Sequence, residues 1–338
     1  MEQQRWIRPE TVLLAAGLLF VAYLLGNVLL LVFAAVILAI GVDGAAQTIA
    51  RKTGAGHGWA LAGVTIGIFT LIAAAIGLSA TRLFQQFREL ANTVIGSAEQ
   101  FQAWLQDIGV LDLVEEIDGS DGSLSGAAGN VIGQVMTMGM SVVGAMTSFV
   151  ILIILTFFLA INPGLYRGGL VRLVPPAGRA MVTDTLSAIA HAVRWWFLGQ
   201  IISMIFLGLS VGLGLFVLGV DLWFALAVLT ALLTFVPFIG PLAATVPIVA
   251  VSFTESTQIG LIALGGYIVI QNIEGNIVTP MIQQRAVNLA PALLIGMQVL
   301  LGVVFGAIGL ILAAPFTVVA MVAVQKLWVE HTLGEKVT

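Results

Sequence analysis

The chain has 338 residues, of which 59% are hydrophobic and only 9% charged. A soluble domain carries about 25% charged residues, so a largely water-facing surface is excluded and bilayer lipid is the solvent that fits. The net charge of −4 speaks against nucleic-acid binding, and the absence of cysteine excludes disulfides, thiolate catalysis and thiolate metal sites. His57, His191 and His331 are scattered without a metal-ligand spacing, so neither a metal nor a cofactor is expected.

Arg5 and Arg8 precede an apolar run from Thr11 to Ile40. A cleavable signal core is about 7–15 residues. This run is about twice that and leads into further apolar blocks, so it reads as retained. As one helix it would be about 45 Å long, against a hydrocarbon core of about 30 Å. Gly26-Asn27 is the natural break and predicts helices over 10–25 and 28–46. Arg51, Lys52 and a turn with Gly54, Gly56 and Gly58 follow, then a third span, Trp59–Ala80.

Residues 81–117 differ in kind. Leu83, Phe87, Leu90, Val94, Phe101 and Leu105 recur at helical spacing, with Gln85, Arg88, Glu89, Glu99 and Gln102 on the other faces. This pattern predicts an amphipathic extramembrane helix. It dissolves into Asp118-Gly119-Ser120-Asp121-Gly122-Ser123, a turn-rich loop. From Arg82 to Asn130 two basic residues face eight acidic ones.

Val131–Ile161 is the fourth span, stopped by Asn162-Pro163-Gly164. A basic loop with Arg167, Arg172, Arg179 and Arg194 leads to a fifth, Trp195–Val220, opened by the Trp195-Trp196 pair. Beyond Asp221 every apolar run is broken. Leu222–Val236 meets Pro237-Phe238-Ile239-Gly240-Pro241, Ile259–Ile270 runs into Gln271-Asn272-Ile273-Glu274, and Pro291–Val324 contains Gly302, Gly306, Gly309 and Pro315.

Positive residues favour the cytoplasmic side. With both termini inside, Arg51, Lys52 and the basic 163–194 loop are cytoplasmic and the acidic 82–130 region is outside. The last third has two readings. Eight crossings leave Arg285 outside; six spans plus two re-entrant hairpins, 222–253 and 291–324, place Arg285 and Lys326 inside. The second fits the charges better. The expected fold is an all-α polytopic integral membrane protein with about six transmembrane helices, two re-entrant helical hairpins and an amphipathic extramembrane helix. Its segments are 1–80 (three spans), 81–130 (acidic, extracytoplasmic), 131–220 (two spans joined by the basic loop), 221–325 (a transport core) and 326–338 (a cytoplasmic tail).

Gly208-Leu209-Ser210-Val211-Gly212 spells a nucleophile motif, but that motif needs a strand–turn–helix elbow. Here it lies inside an apolar run and reads as a small-residue helix contact. Pro237-Phe238-Ile239-Gly240-Pro241 cannot continue a regular helix, since two prolines remove donors and clash with the preceding turn. It is a kink or a hairpin tip, and irregular backbone at membrane depth is tolerated where protein or a water-filled cavity covers it. Gln271, Asn272, Glu274 and Asn276 form the densest polar cluster beside an apolar run. Ionisable groups in a membrane mark pathways or relays, but Glu274 also suits a helix end in headgroup water. Gln298, alone in an apolar arm, is a further candidate. The expected solute site lies between the 237–241 and 302–309 tips and comprises Pro237, Phe238, Gly240, Pro241, Gln271, Asn272, Glu274, Asn276, Gln298, Gly302, Phe305, Gly306 and Gly309. No phosphate-binding loop is present to suggest ATP as an energy source.

Three stretches carry a family resemblance: Phe235 through Pro241, Ile273-Glu274-Gly275-Asn276-Ile277-Val278-Thr279-Pro280, and Pro291 through Gly302, Phe305-Gly306, Gly309 and Ala314-Pro315. In order and spacing they resemble the autoinducer-2 exporter family of permeases, and the span layout fits along almost the whole chain. Asn162-Pro163 stands where that family often has an acid. The resemblance implies a non-enzymatic, elevator-type exporter with two hairpins, assembled as a homopentamer in the bacterial plasma membrane. It implies a small polar solute resembling autoinducer-2, with a sodium(lithium)/proton antiporter as the alternative; a non-transporting membrane scaffold or assembly factor stands as a second alternative beside what the resemblance implies. The lipid bilayer and the small-molecule or ionic solute are the partners expected.

Overall fold

The computed structural model describes residues 25–67, 85, 89, 93, 96, 142–280 and 290–334. Nearly all of the first predicted helix (10–25), most of the amphipathic 81–117 stretch, the acidic loop after it, residues 131–141 and Arg285 lie outside the described residues. Positions 85, 89, 93 and 96 are helical. Among the described residues every regular element is a helix.

Helix α1, Gly26–Thr53, begins at the expected Gly26-Asn27 break. It runs past the expected end at 46 and takes Arg51 and Lys52 into its last turn, where cations offset the partial negative charge of a helix C-terminus. Gly54, at φ 71, follows its end, and residues 57–67 resume the helix. Helix α2, Val142–Ile161, stops where Asn162-Pro163 predicts. The Asn162 side chain caps α3, Pro163–Arg172, by accepting from the Leu165 N–H at 3.3 Å. Pro163 occupies the first turn, where a missing N–H costs nothing. The two helices meet at 82°.

A 3-10 turn, Pro176–Gly178, leads into α4, Arg179–Val217. The segment expected to join two spans is thus helical from Arg179 onwards. Nothing between Arg179 and Leu198 is glycine or proline, so the polar stretch stays helical and α4 runs unbroken for 39 residues. Trp196 is buried edge-on against Phe235 at 6.0 Å.

The proline-rich break is a true helix reversal. Helix α5, Trp223–Leu233, has 11 residues and α6, Ile239–Glu255, has 17. At about 16 and 25 Å, neither crosses a core of about 30 Å alone. Pro241 falls within the first turn of α6, so only Pro237 and Phe238 stand outside helix at the tip proper. Helix α7, Thr257–Ile273, is capped by the Ser256 hydroxyl accepting from the Ile259 N–H at 3.1 Å, and it continues as a π-helical turn, Glu274–Val278. Helix α8, Pro291–Val324, is followed by a second π turn, Gln325–Glu330.

Helix α8 is not straight. Gly306 has φ 64 and ψ −146, a conformation essentially reserved for glycine. A Cβ on Gly309 would collide with the Leu301 carbonyl oxygen, and one on Gly302 would touch Leu310. In a straight helix residues eight apart are about 12 Å apart. The chain therefore turns back on itself at Gly306. The first reversal has the same construction: Phe238 has φ 63, and a Cβ on Gly240 would overlap the Leu233 carbonyl.

Among the described residues, Gly26–Thr53, Pro176–Val217, Thr257–Val278 and Pro291–Glu330 are long and apolar enough to cross a membrane, and the bent pair Ser148–Ile161 with Pro163–Arg172 makes a fifth candidate. The protein is an all-α polytopic membrane protein. It divides into two compact units, one of residues 1–44, 148–189 and 289–338, the other of 45–147 and 190–288. The expected 221–325 core is thus divided, with α5–α7 in the second unit and α8 in the first.

In the first unit Phe33 meets Phe316 edge-on at 5.9 Å, Phe305 lies against Gly26, and Ala313, Ala314 and Val318 are buried. Lys326 pairs with Asp184 at 3.3 Å and Glu330 at 2.8 Å. The second unit is built around Val211, Leu215, Leu226, Ile248, Val251 and Tyr267. Small residues draw α4 and α5 together: a Cβ on Gly208 would lie 2.8 Å from that of Ala231, and one on Gly212 2.7 Å from that of Ala227. The Gly208–Gly212 motif is therefore a helix contact and not a nucleophile elbow.

Candidate functional site

A polar seam runs along α7 in the second unit. Tyr267, Gln271 and Glu274 recur at i, i+4 and i+7 and so share one face of α7 and its π extension. The Tyr267 hydroxyl donates to the Pro241 carbonyl at 2.6 Å, and the Gln271 amide donates to the Tyr267 oxygen at 2.7 Å. Thr245 also donates to the Pro241 carbonyl, at 3.2 Å. On the other arm of the hairpin the Gln200 amide, from α4, donates to the Thr234 carbonyl at the end of α5. These bonds answer the main difficulty of a reversal at membrane depth. The Thr234 carbonyl lies past the end of α5, where an unpaired group is costly in hydrocarbon, and α4 supplies its donor; the bond from Tyr267 ties the first turn of α6 to α7.

Glu274 stands one turn beyond Gln271. Its carboxylate is half-buried, and one oxygen accepts from both the Ser203 hydroxyl at 2.7 Å and the Thr279 hydroxyl at 2.8 Å. Two hydroxyl donors on one oxygen fix the orientation of the carboxylate. Its second oxygen can meet a cation or a donor on a solute. The widened π turn permits the Glu274–Thr279 contact, since residues five apart come together there, and such turns are frequent at functional sites.

The four-residue polar cluster of the sequence splits in two. Gln271 and Glu274 face protein. Asn272 and Asn276 are exposed, and their amides bond back to the Ile268 carbonyl at 2.8 Å and the Asn272 carbonyl at 2.9 Å. At the tip Pro237 and Pro241 are half-buried, Gly240 is buried against α5, and Phe238 is 49% exposed despite its positive φ. A non-glycine residue held there stores about 1–3 kcal/mol of strain and marks a spot its surroundings over-determine.

The remaining sequence candidates belong to the first unit. Gln298 is fully buried in the first arm of α8, Phe305 packs on Gly26, and Gly302, Gly306 and Gly309 build the reversal. Gln200, Ser203, Tyr267 and Thr279 were missed by sequence reasoning. A signal existed for some of them: Gln200 and Ser203 stand three apart in an apolar run, and Tyr267 precedes Gln271 by one turn.

A groove of about 500 Å³ adjoins the seam at Tyr267 and is lined by residues such as Leu215, Leu218, Ile248, Ala263 and Ile270. Apart from the Ser210 and Tyr267 hydroxyls its side chains are hydrocarbon. Its chemistry suits an apolar filling, so the polar seam is the better candidate for solute contact.

A family model described as AI-2E family transporter matches residues 12–328. The AI-2 transport protein TqsA of Escherichia coli (strain K12) is 25% identical over 272 residues, 78% of this chain and 75% of that protein. YueF of Bacillus subtilis (strain 168) is 22% identical over 265 residues, 74% of this chain and 70% of its own length. A Thermotoga maritima relative is 24% identical over 280 residues, covering 78% of this chain and 80% of that protein.

Proposed function

We propose, from the premise that this chain belongs to the AI-2E transporter family, that it exports a small polar solute across the bacterial plasma membrane. The chain is a multi-pass membrane transporter. The solute class, the outward direction, an elevator-type displacement of the hairpins, a homopentameric assembly and cytoplasmic termini are parts of the proposal. An autoinducer-2-like furanone is the first solute to test, given what the name of TqsA says of that relative.

One observation carries the reading: a half-buried carboxylate, bonded by the Ser203 and Thr279 hydroxyls, sits on the same face of α7 and its π extension that bonds the tip of a short helix pair. Polar groups within a spanning unit cost several kcal/mol unless satisfied, and broken helices are where transporters hold solutes. In this proposal the solute contacts Gln271, Glu274 and the Phe238–Pro241 tip. Gln298, Gly302, Phe305, Gly306 and Gly309 belong to the second moving hairpin, while Asn272 and Asn276 play a lesser part because their amides are turned to their own helix.

Glu274 also favours a second reading, exchange of a cation for a proton, because it is the carboxylate of the seam. Proteoliposome efflux separates the two readings. Gln271→Leu should abolish solute efflux in either case, whereas Glu274→Gln should abolish only transport driven by an imposed pH or sodium gradient. Solute efflux that ignores Gln271→Leu would refute the seam. Sodium–proton exchange by the parent chain, lost in Glu274→Gln and unaffected by any polar solute, would install the antiporter reading.

A further inference from the structure

We propose that α3, Pro163–Arg172, together with Leu173, is an interfacial helix that docks onto the anionic phospholipid headgroups of the leaflet it faces. The helix starts one residue after α2 and is bent from it by 82°. A helix at nearly a right angle to a span, at the end of that span, lies along the membrane plane at headgroup depth. It contains no buried residue. Leu165, Tyr166, Leu170 and Leu173 are 65%, 42%, 53% and 82% exposed. At 100° per residue they fall within an arc of about 140°, with Arg172 about 20° beyond one edge and Arg167 about 60° beyond the other. This is the distribution of a membrane-surface helix, whose apolar face enters the acyl boundary while flanking cations reach phosphates.

The orientation is fixed by one edge. Arg167 donates to the Thr183 carbonyl at 2.8 Å and to the Ser187 hydroxyl, both in the first turns of α4, which leaves the apolar arc outward. Arg179 donates to the Val174 carbonyl at 3.1 Å and holds the turn that follows. From residue 162 to 183 there are three arginines and no acid. That charge selects the occupant. A second copy of α3 would bring Arg172 towards Arg172 with no carboxylate on the helix to meet it, whereas an anionic lipid surface complements both the apolar arc and the Arg172 edge.

The native chain has no cysteine, so a nitroxide can be placed at Leu173→Cys or, as a second reporter, Leu165→Cys in the full chain. Depth is read from oxygen against nickel-chelate accessibility in vesicles of phosphatidylcholine alone or mixed with phosphatidylglycerol. The expected result is a label at the acyl–headgroup boundary in the mixed vesicles. Arg172→Gln should move its partition about fivefold towards water, molar salt should act in the same direction, and Arg172→Lys should restore the depth. Equal nickel access in both vesicle types would overturn the proposal. So would spin–spin broadening that disappears on dilution with unlabelled chain, which would assign the face to a second copy.

Discussion

Replacing Gly309 by alanine tests the reversal of α8 by the sign of its effect. If α8 were a straight span, the substitution would remove a poor helix former and stabilise the helix by about 1 kcal/mol. In the folded-back arrangement the new Cβ meets the Leu301 carbonyl oxygen and carbon and the Phe305 side chain. The carbonyl is backbone of the opposing arm and cannot rotate away, so the cost belongs at the upper end of overpacking penalties, about 3 kcal/mol. After the gain in propensity a net loss of about 2 kcal/mol remains. At about 2 °C per kcal/mol for a chain of this size, the unfolding midpoint in detergent, followed by fluorescence-detected size exclusion, should fall by about 4 °C. Gly296→Ala is the control, because nothing lies within 4 Å of a Cβ there and its midpoint should hold or rise. Equal rises for both variants would refute the reversal and restore α8 as one continuous crossing.

Tyr267→Phe removes the nearer donor to the Pro241 carbonyl and the acceptor of Gln271. It should cost about 1 kcal/mol and speed hydrogen exchange at the Gly240 and Leu242 amides; unchanged exchange would mean that Tyr267 does not hold the tip. Gly212→Leu should destabilise by about 1–3 kcal/mol through its contact with Ala227, while Gly214→Leu, with open space around it, should be near neutral in the same thermal assay. A single cysteine at Arg285, labelled in intact cells, should react only after the cytoplasmic face is opened. Labelling from outside would favour eight crossings over two re-entrant hairpins.

Chain breaks were the most legible features of the sequence. Asn162-Pro163, Pro237 and Gly306 each mark a place where the chain leaves one helix direction for another, because loss of a donor, ring clash or a glycine-only conformation is a local property of the residue. Polarity alone marked no helix end. The arginine-bearing stretch before Trp195 is helix, since charge does not interrupt the hydrogen-bond ladder and no glycine or proline does so there.

Membrane residence and the positions of helix reversal were therefore determined by the sequence itself, through composition and through backbone chemistry carried by single residues. Which side chains converge was decided only by the tertiary structure. A helix that is apolar all round has no polar stripe to announce its inner face, so nothing local distinguishes Glu274, which is reached by Ser203 from 71 positions away, from Asn276, which bonds to its own helix. The packing of Gly208 and Gly212 against Ala231 and Ala227 sets the spacing of α4 and α5, and α4 carries Gln200 to the Thr234 carbonyl and Ser203 to Glu274. The polar seam is a product of helix packing, and helix packing depends on surfaces that only the folded chain brings together.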